Sequence, residues 1–230
     1  MKSHAFLIFF IVLALTLSGC STTTMAYYNT LKLALRDTSV NFSEKDIASS
    51  KIDIIQIKAG ARDTGALALA FIDGDKYQWI SGDKVVFTIQ NGVITQTEGL
   101  AYDLQYTGNL LHNPLASKDI LPYSWSRKVD VDEVGYGLVV NSTWKVVGEV
   151  THEYVGLDVP LIKIVEKVTF PETTPFLTMG NTWENVYFLD KRSKAVFATE
   201  QKLSPNGDVY DMVYLSKIVR AYGSQSKVEK

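Results

Sequence analysis

From Ile52 onward the chain is cut at short intervals by Asp73-Gly74, Ser81-Gly82-Asp83, Asn91-Gly92 and Pro205-Asn206-Gly207-Asp208. Each is a turn signal, because glycine and asparagine tolerate the positive φ that tight hairpins need. The runs between these signals are short, rich in Val, Ile, Thr, Phe and Tyr, and alternating. Leu67, Leu69 and Phe71 share one side of a run, Val85, Phe87 and Ile89 share one side of another, and Ala195, Phe197 and Thr199 continue the habit. Period two buries one face of a strand and wets the other. Strands at intervals of about 8 to 12 residues, with no helical windows between them, predict a mainly β chain of antiparallel sheets, as a sandwich or a partly open barrel.

Helical spacing is confined to the N-terminal side. Tyr27, Tyr28, Leu31 and Leu35 recur every three to four residues, and Ser43 with Asp46 reads as a capping box. One or two short N-terminal helices are therefore expected. The stretch from Asp103 to Trp125 holds Asn113-Pro114 and Leu121-Pro122 and predicts a long connection with one helical turn. Gly135 to Thr151 and Leu161 to Phe170 read as longer strands. A faint echo relates Trp79 followed by Thr97-Glu98 to Trp183 followed by Thr199-Glu200, which suggests two similar half-sheets.

The first twenty residues read as an address. Lys2 supplies a positive start, and Ala5 to Leu17 form an apolar run too short for a membrane span of about 20 helical residues. The run leads into Leu17-Ser18-Gly19-Cys20, which resembles the lipobox of bacterial lipoproteins. A peptidase accepts small residues before its cut, and a thiol is the one side chain here that can become a thioether to diacylglycerol. Cys20 is the sole cysteine. Residues 1–19 are thus expected to be a cleaved signal, 20–24 a lipidated N-terminus and linker, 25–222 one β-rich domain and 223–230 a polar tail. Residue 21 is Ser and not Asp, which by resemblance to Gram-negative sorting favours the outer membrane.

The chemistry that the chain advertises is sparse. One cysteine excludes an internal disulfide framework and CxxC metal sites. Lys plus Arg number 23 against 25 Asp plus Glu, with no basic block, so a nucleic-acid footprint is missing. No GxSxG, HExxH, phosphate-cradling or EF-hand pattern occurs. His112 and His152 stand in unlike segments and make a poor metal set, and Asp130, Asp132 and Glu133 read as a solvated acidic loop. Glu98 with Glu200, with Asp103 as a third, is the pair of carboxylates to examine for glycoside chemistry, which needs two acids at a set separation; strand ends facing solvent are the plainer reading. No cofactor is expected beyond the lipid on Cys20. The aromatic residues offer another class of function. Trp79, Tyr123, Trp125 and Trp183 are candidates for a surface on which sugar rings or a partner protein stack, although tryptophans of a β domain ordinarily fill its core.

Several phrases together carry a family resemblance. Trp79-Ile80-Ser81, Asn91-Gly92, Thr97-Glu98-Gly99-Leu100, Asp103-Leu104 and Tyr123-Ser124-Trp125 are among them. Gly180-Asn181-Thr182-Trp183, Thr199 to Pro205 and Val213 to Lys217 complete the set. The chain is similar along most of its length to the YjbF-like lipoproteins of exopolysaccharide and group 4 capsule operons. It departs from that pattern at Val93, where the family carries a basic residue. The resemblance implies branching antiparallel sheets and an outer-membrane lipid anchor. It also implies a part in making or exporting a surface polysaccharide, beside a companion outer-membrane barrel and a periplasmic partner, and no known catalytic residues. The leading expectation is a non-enzymatic accessory lipoprotein that binds a partner or the glycan. A glycan-modifying enzyme and an envelope carrier or assembly module are the alternatives.

Overall fold

The computed structural model describes residues 39–116, 123–171 and 181–223 of the 230-residue chain. The expected signal, Cys20 and its linker, the Tyr27 to Leu35 pattern, Leu121-Pro122, Gly180 and the tail beyond Gly223 lie outside the described residues. The first element of the described residues is α1 (Glu44–Ser49), where Ser43 and Asp46 form the capping box read from the sequence. Five strands follow: β1 (Ile54–Ala59), β2 (Gly65–Asp73), β3 (Lys76–Ser81), β4 (Val86–Gln90) and β5 (Val93–Glu98). After β6 (Leu104–Thr107) come two 3₁₀ turns, Leu110–His112 and Pro114–Ala116. Then come β7 (Tyr123–Val131), β8 (Gly135–Tyr154), β9 (Leu157–Thr169), β10 (Thr182–Asp190), β11 (Val196–Lys202), β12 (Val209–Val213) and α2 (Leu215–Tyr222).

All twelve strands join one antiparallel sheet in the order β5-β4-β3-β2-β1-β12-β11-β10-β9-β8-β7-β6, a single linear order with no branch among the described residues. Neighbours in the sheet are neighbours in sequence except for β1 and β12, which meet with Ile57 opposite Met212. The outermost strands, β5 and β6, are consecutive in the chain and lie against each other, so the sheet is a nearly closed barrel. Of the two expected closures, the partly open barrel is the one formed. Its seam is held by side chains instead of a ladder. Buried Asp103 accepts from Thr97 Oγ1 at 2.8 Å, Gly99 N at 2.8 Å and Leu100 N at 3.0 Å, and Thr97 Oγ1 accepts from Leu104 N at 2.9 Å.

The interior is filled by the inward phase of the strands, including Ile55, Leu67, Trp79, Phe87, Trp125, Trp144, Ile164, Tyr187 and Met212. A second apolar cluster lies outside, where Leu215, Ile218, Val219 and Tyr222 of α2 meet Val186, Phe188 and Phe197, and Ile47 of α1 joins them. Each such side chain taken from water contributes about 1.5–3 kcal/mol, so α2 is held by its stripe and not by its length of eight residues.

All four sequence turn signals sit at hairpin turns between the predicted strands. Four expectations are corrected. Phe71 is exposed although Leu67 and Leu69 face inward, because the ladder shifts by one residue between Leu69 and Phe71 and an extra residue reverses the face. A second bulge, beside Phe197, turns that ring outward onto Tyr222 while Thr199 faces inward opposite Tyr187. The segment from Asp103 contains the strand β6 and two 3₁₀ turns instead of one helical turn, and the chain also carries a C-terminal helix that the strand reading overlooked.

Candidate functional site

Within the apolar interior runs one polar chain. Glu166 of β9 is fully buried and its Oε1 accepts from Arg127 Nη1 of β7 at 2.6 Å. Its Oε2 accepts from Asn185 Nδ2 at 2.9 Å and from the Tyr187 hydroxyl at 3.1 Å. The guanidinium lies 4.3 Å from the ring centroid of Trp125. Burial, with the Glu166 carboxylate beside it, pushes the Tyr187 hydroxyl well above its ordinary range. Gln201 of β11 extends the network across the barrel: its Nε2 donates to Gly92 O at 3.0 Å, and its Oε1 accepts from Ile94 N at 3.1 Å. The free edge strand β5 is thereby tied to β11 through a side chain.

This network is closed. The space among Arg127, Asn185, Tyr187 and Gln201 is about 20 Å³, room for about one water molecule. Its groups hold strands together and leave no place for a substrate. Two sequence signals mark it: Glu166 interrupts the apolar phase Ile162, Ile164, Val168, Phe170, and Arg127 interrupts Trp125, Val129, Val131. A charge in the inward phase of a strand must find a partner.

The residues singled out in the sequence are dispersed. Trp79 is 3% and Trp125 1% exposed, so neither offers a face for stacking. Trp183 is half-buried against Phe170, and Tyr123 alone is exposed. The four do not assemble into one aromatic surface, because the large rings are consumed in filling the barrel. Glu98 and Glu200 are both exposed on the outer face of the sheet, but β5 and β11 stand six positions apart in it, across the barrel from each other. Asp103 is spent on the seam. The Trp79 and Trp183 echo is not a structural repeat: two turns separate Trp79 from Thr97, and one separates Trp183 from Thr199. Asp130 accepts from Gly137 N at 2.6 Å and Asp132 from Gln105 Nε2 at 2.7 Å. His112 meets Asn109 Oδ1, and His152 meets the Tyr154 hydroxyl. Among the described residues no group of three or more metal-ligating side chains converges. Val93 is buried in the core, which accounts for an apolar residue there.

Three larger concavities open to solvent among the described residues. One of about 360 Å³ follows the seam past Thr88, Thr95, Tyr106 and Leu111. Another, of about 290 Å³, runs over Ser124, Ser126, Asn141, Thr143 and Lys167 on the outer face of β7, β8 and β9. A third, of about 220 Å³, lies at the end of the barrel where Asn91, Lys194 and Lys217 meet.

Comparison with known proteins places this geometry. The crystal structure of the hypothetical lipoprotein YmcC from Escherichia coli (K12) superposes with a TM-score of 0.65 at 21% identity, covering 81% of this chain and 93% of that one, so the two share a fold. In sequence, the uncharacterized lipoprotein GfcB of Escherichia coli (strain K12) is 23% identical over 211 residues, which span 89% of this chain and 95% of that protein. The model of one protein family matches residues 28–215, from ahead of α1 to the first residue of α2. The chain belongs to that family, described as group 4 capsule polysaccharide lipoprotein gfcB, YjbF.

Proposed function

We propose that this chain is a non-enzymatic accessory lipoprotein of surface-polysaccharide production and export. It is held at the outer membrane by lipid on Cys20, faces the periplasm, and works beside an outer-membrane barrel and periplasmic proteins. The observation that carries this reading is the filled interior. A barrel whose central polar chain leaves about 20 Å³ admits neither a sugar nor an acyl chain among the described residues, so recognition falls to the outside. The family description supplies the process, capsule polysaccharide. A carboxylate pair for glycoside chemistry requires separations of about 5–10 Å, which outward side chains on opposite sides of a barrel do not reach.

The test uses cells lacking the gene, complemented with wild type, Cys20→Ser, or Glu98→Gln with Glu200→Gln. Surface polysaccharide is measured at matched protein abundance, and fractions are followed with labelled palmitate. Loss of polysaccharide in the deletion, restoration by wild type and by the double glutamine variant, and an unlabelled, displaced Cys20→Ser protein are expected. Glutamine keeps the shape but abolishes proton transfer and nucleophilic attack, so polysaccharide lost in the double variant at normal abundance would overturn the non-enzymatic reading. Equal palmitate label in Cys20→Ser would overturn the anchor.

A further inference from the structure

The chain has four tryptophans, and three of their indole N–H groups are accounted for. Trp125 donates to Asn109 O at 3.1 Å, Trp144 to Ser142 Oγ at 3.0 Å and Trp183 to Lys202 O at 2.9 Å. Trp79 Nε1 is buried without an acceptor, and so is the hydroxyl of Tyr214, whose ring meets Trp79 edge-on at 6.1 Å. An orphaned buried donor forfeits its hydrogen bond to water with nothing in return, and two in contact call for a reason.

Both residues line the cleft of about 220 Å³ at the barrel end, together with Tyr77, Asn91, Lys194 and Lys217. Five separate pieces of the chain meet there: β3, the β4–β5 turn, the 3₁₀ turn Pro114–Ala116, the β10–β11 turn and the start of α2. The Lys217 ammonium sits 4.3 Å from the centroid of the Tyr214 ring. It makes no ion pair among the described residues; the nearby Asp53 is engaged by Arg220 at 2.9 Å and through a second, shorter contact. Burial, with Arg220 as a lesser cause, pushes Lys217 down to about 8. Among the described residues that line the cleft there is no carboxylate. The cleft therefore offers donors and cations beside aromatic rings. Pockets for drug-sized ligands span roughly 300–1,000 Å³, so this one is scaled to a single ring.

We infer that this cleft binds one acidic sugar unit, its carboxylate received by Lys217 and Lys194 and its ring laid against the exposed Tyr77, beside the unpaired donors of Trp79 and Tyr214. The inference rests on the polysaccharide reading above for its ligand class, and the test separates the two. Full-length ¹⁵N-labelled protein in detergent micelles is titrated with D-glucuronate, with D-glucose and with acetate, and the four indole N–H signals are followed; Trp79→Phe identifies its own. Glucuronate should shift the Trp79 signal saturably and leave the other three in place, glucose and acetate should not, and Lys217→Met should weaken glucuronate binding at least tenfold while the protein keeps a cooperative melt. Absence of a saturable Trp79 shift, an equal response to glucose or acetate, or unchanged affinity in Lys217→Met overturns the site. Polysaccharide fully restored in deletion cells by Lys217→Met would overturn the site's role while leaving the accessory function standing. Glucuronate binding without a polysaccharide defect in the deletion would do the reverse.

Discussion

Single side chains at two places carry more consequence than their neighbours. Removing one partner of a buried ion pair strands the other charge, at a cost of about 3–5 kcal/mol. Glu166→Gln should therefore destabilise by that order in denaturant unfolding, since Arg127 would lose the carboxylate at 2.6 Å. Arg127→Met combined with Glu166→Gln should cost less than the two single changes added together, because the amide oxygen still accepts from Asn185 and no charge is left alone. Lys217 behaves in the opposite sense. Its pKa in the fold, about 8 against 10.5 when free, means that charge on it opposes folding. The penalty is full below pH 8 and disappears as pH rises towards 10.5, where the unfolded chain also sheds the proton. The groups around it are Arg220, which adds to the depression, Asp53, which counters it, and Tyr214 and Lys194 in the cleft wall. Lys217→Met should be more stable than wild type at pH 7 by about 1–3 kcal/mol, and thermal melts at stepped pH should show the gap closing by pH 10. Tyr154 and Tyr210, which burial pushes up to about 12, then act in the other direction. Their neutral forms favour the fold, so stability from them is present below pH 10 and is lost as pH rises through 10 to 12.

At the scale of elements, α2 and the β4–β5 turn are the places where one change spreads. Ile218 is fully buried between the helix and the outer face of the sheet, and Ile218→Ala should cost about 2–5 kcal/mol in urea unfolding. Leu111→Ala, at a site 94% exposed, should stay within about 0.5 kcal/mol. Gly92 has φ +84°, and a Cβ there would stand 2.6 Å from Val196 Cγ2. Gly92→Ala should therefore lower the melting temperature, and Val196→Ala in the same chain should recover the steric part but not the part owed to backbone conformation. These elements also mark what the sequence could and could not disclose. Turn chemistry is local, and Asn91-Gly92 and Asp73-Gly74 could be read directly. Bulges are decided by a partner strand, so the reversal between Leu69 and Phe71 had no local signal. The helix α2 did carry one, the spacing Leu215, Ile218, Val219, Tyr222, but a single two-turn window is easily absorbed into a chain of strands. The cleft was the least legible part: Trp79 was visible as an aromatic, but its meeting with Tyr214 and Lys217 depends on pairings between residues more than a hundred positions apart.

For the whole molecule, neither a metal nor a disulfide is expected to contribute to folding, and melting should be indifferent to EDTA and to reductant; a drop of several degrees with EDTA would point to Asp130, Asp132 and Glu133 as ligands. The connectivity has a further consequence. Every rung of the barrel joins strands adjacent in sequence except β1 with β12, and that rung lies far from the seam between β5 and β6. During folding, two meanders can zip up from their hairpins, but the ring is completed only when Gln56 to Ala59 find Tyr210 to Val213, a search over most of the domain that sets a slow step. The ends to be joined are already neighbours in the native state, for a Cβ on Gly223 would touch Glu44 Oε1 at 2.7 Å. A circular permutant that links Gly223 to Ser39 and opens the chain between Ala101 and Tyr102 would make the slow rung local and the seam the point of cleavage. Stopped-flow refolding of that permutant should be faster than that of the natural order, while amide exchange along β5 and β6 becomes faster too: the gap in the ladder is where this ring can be cut, and the rung between its first and last strands is where it must be tied.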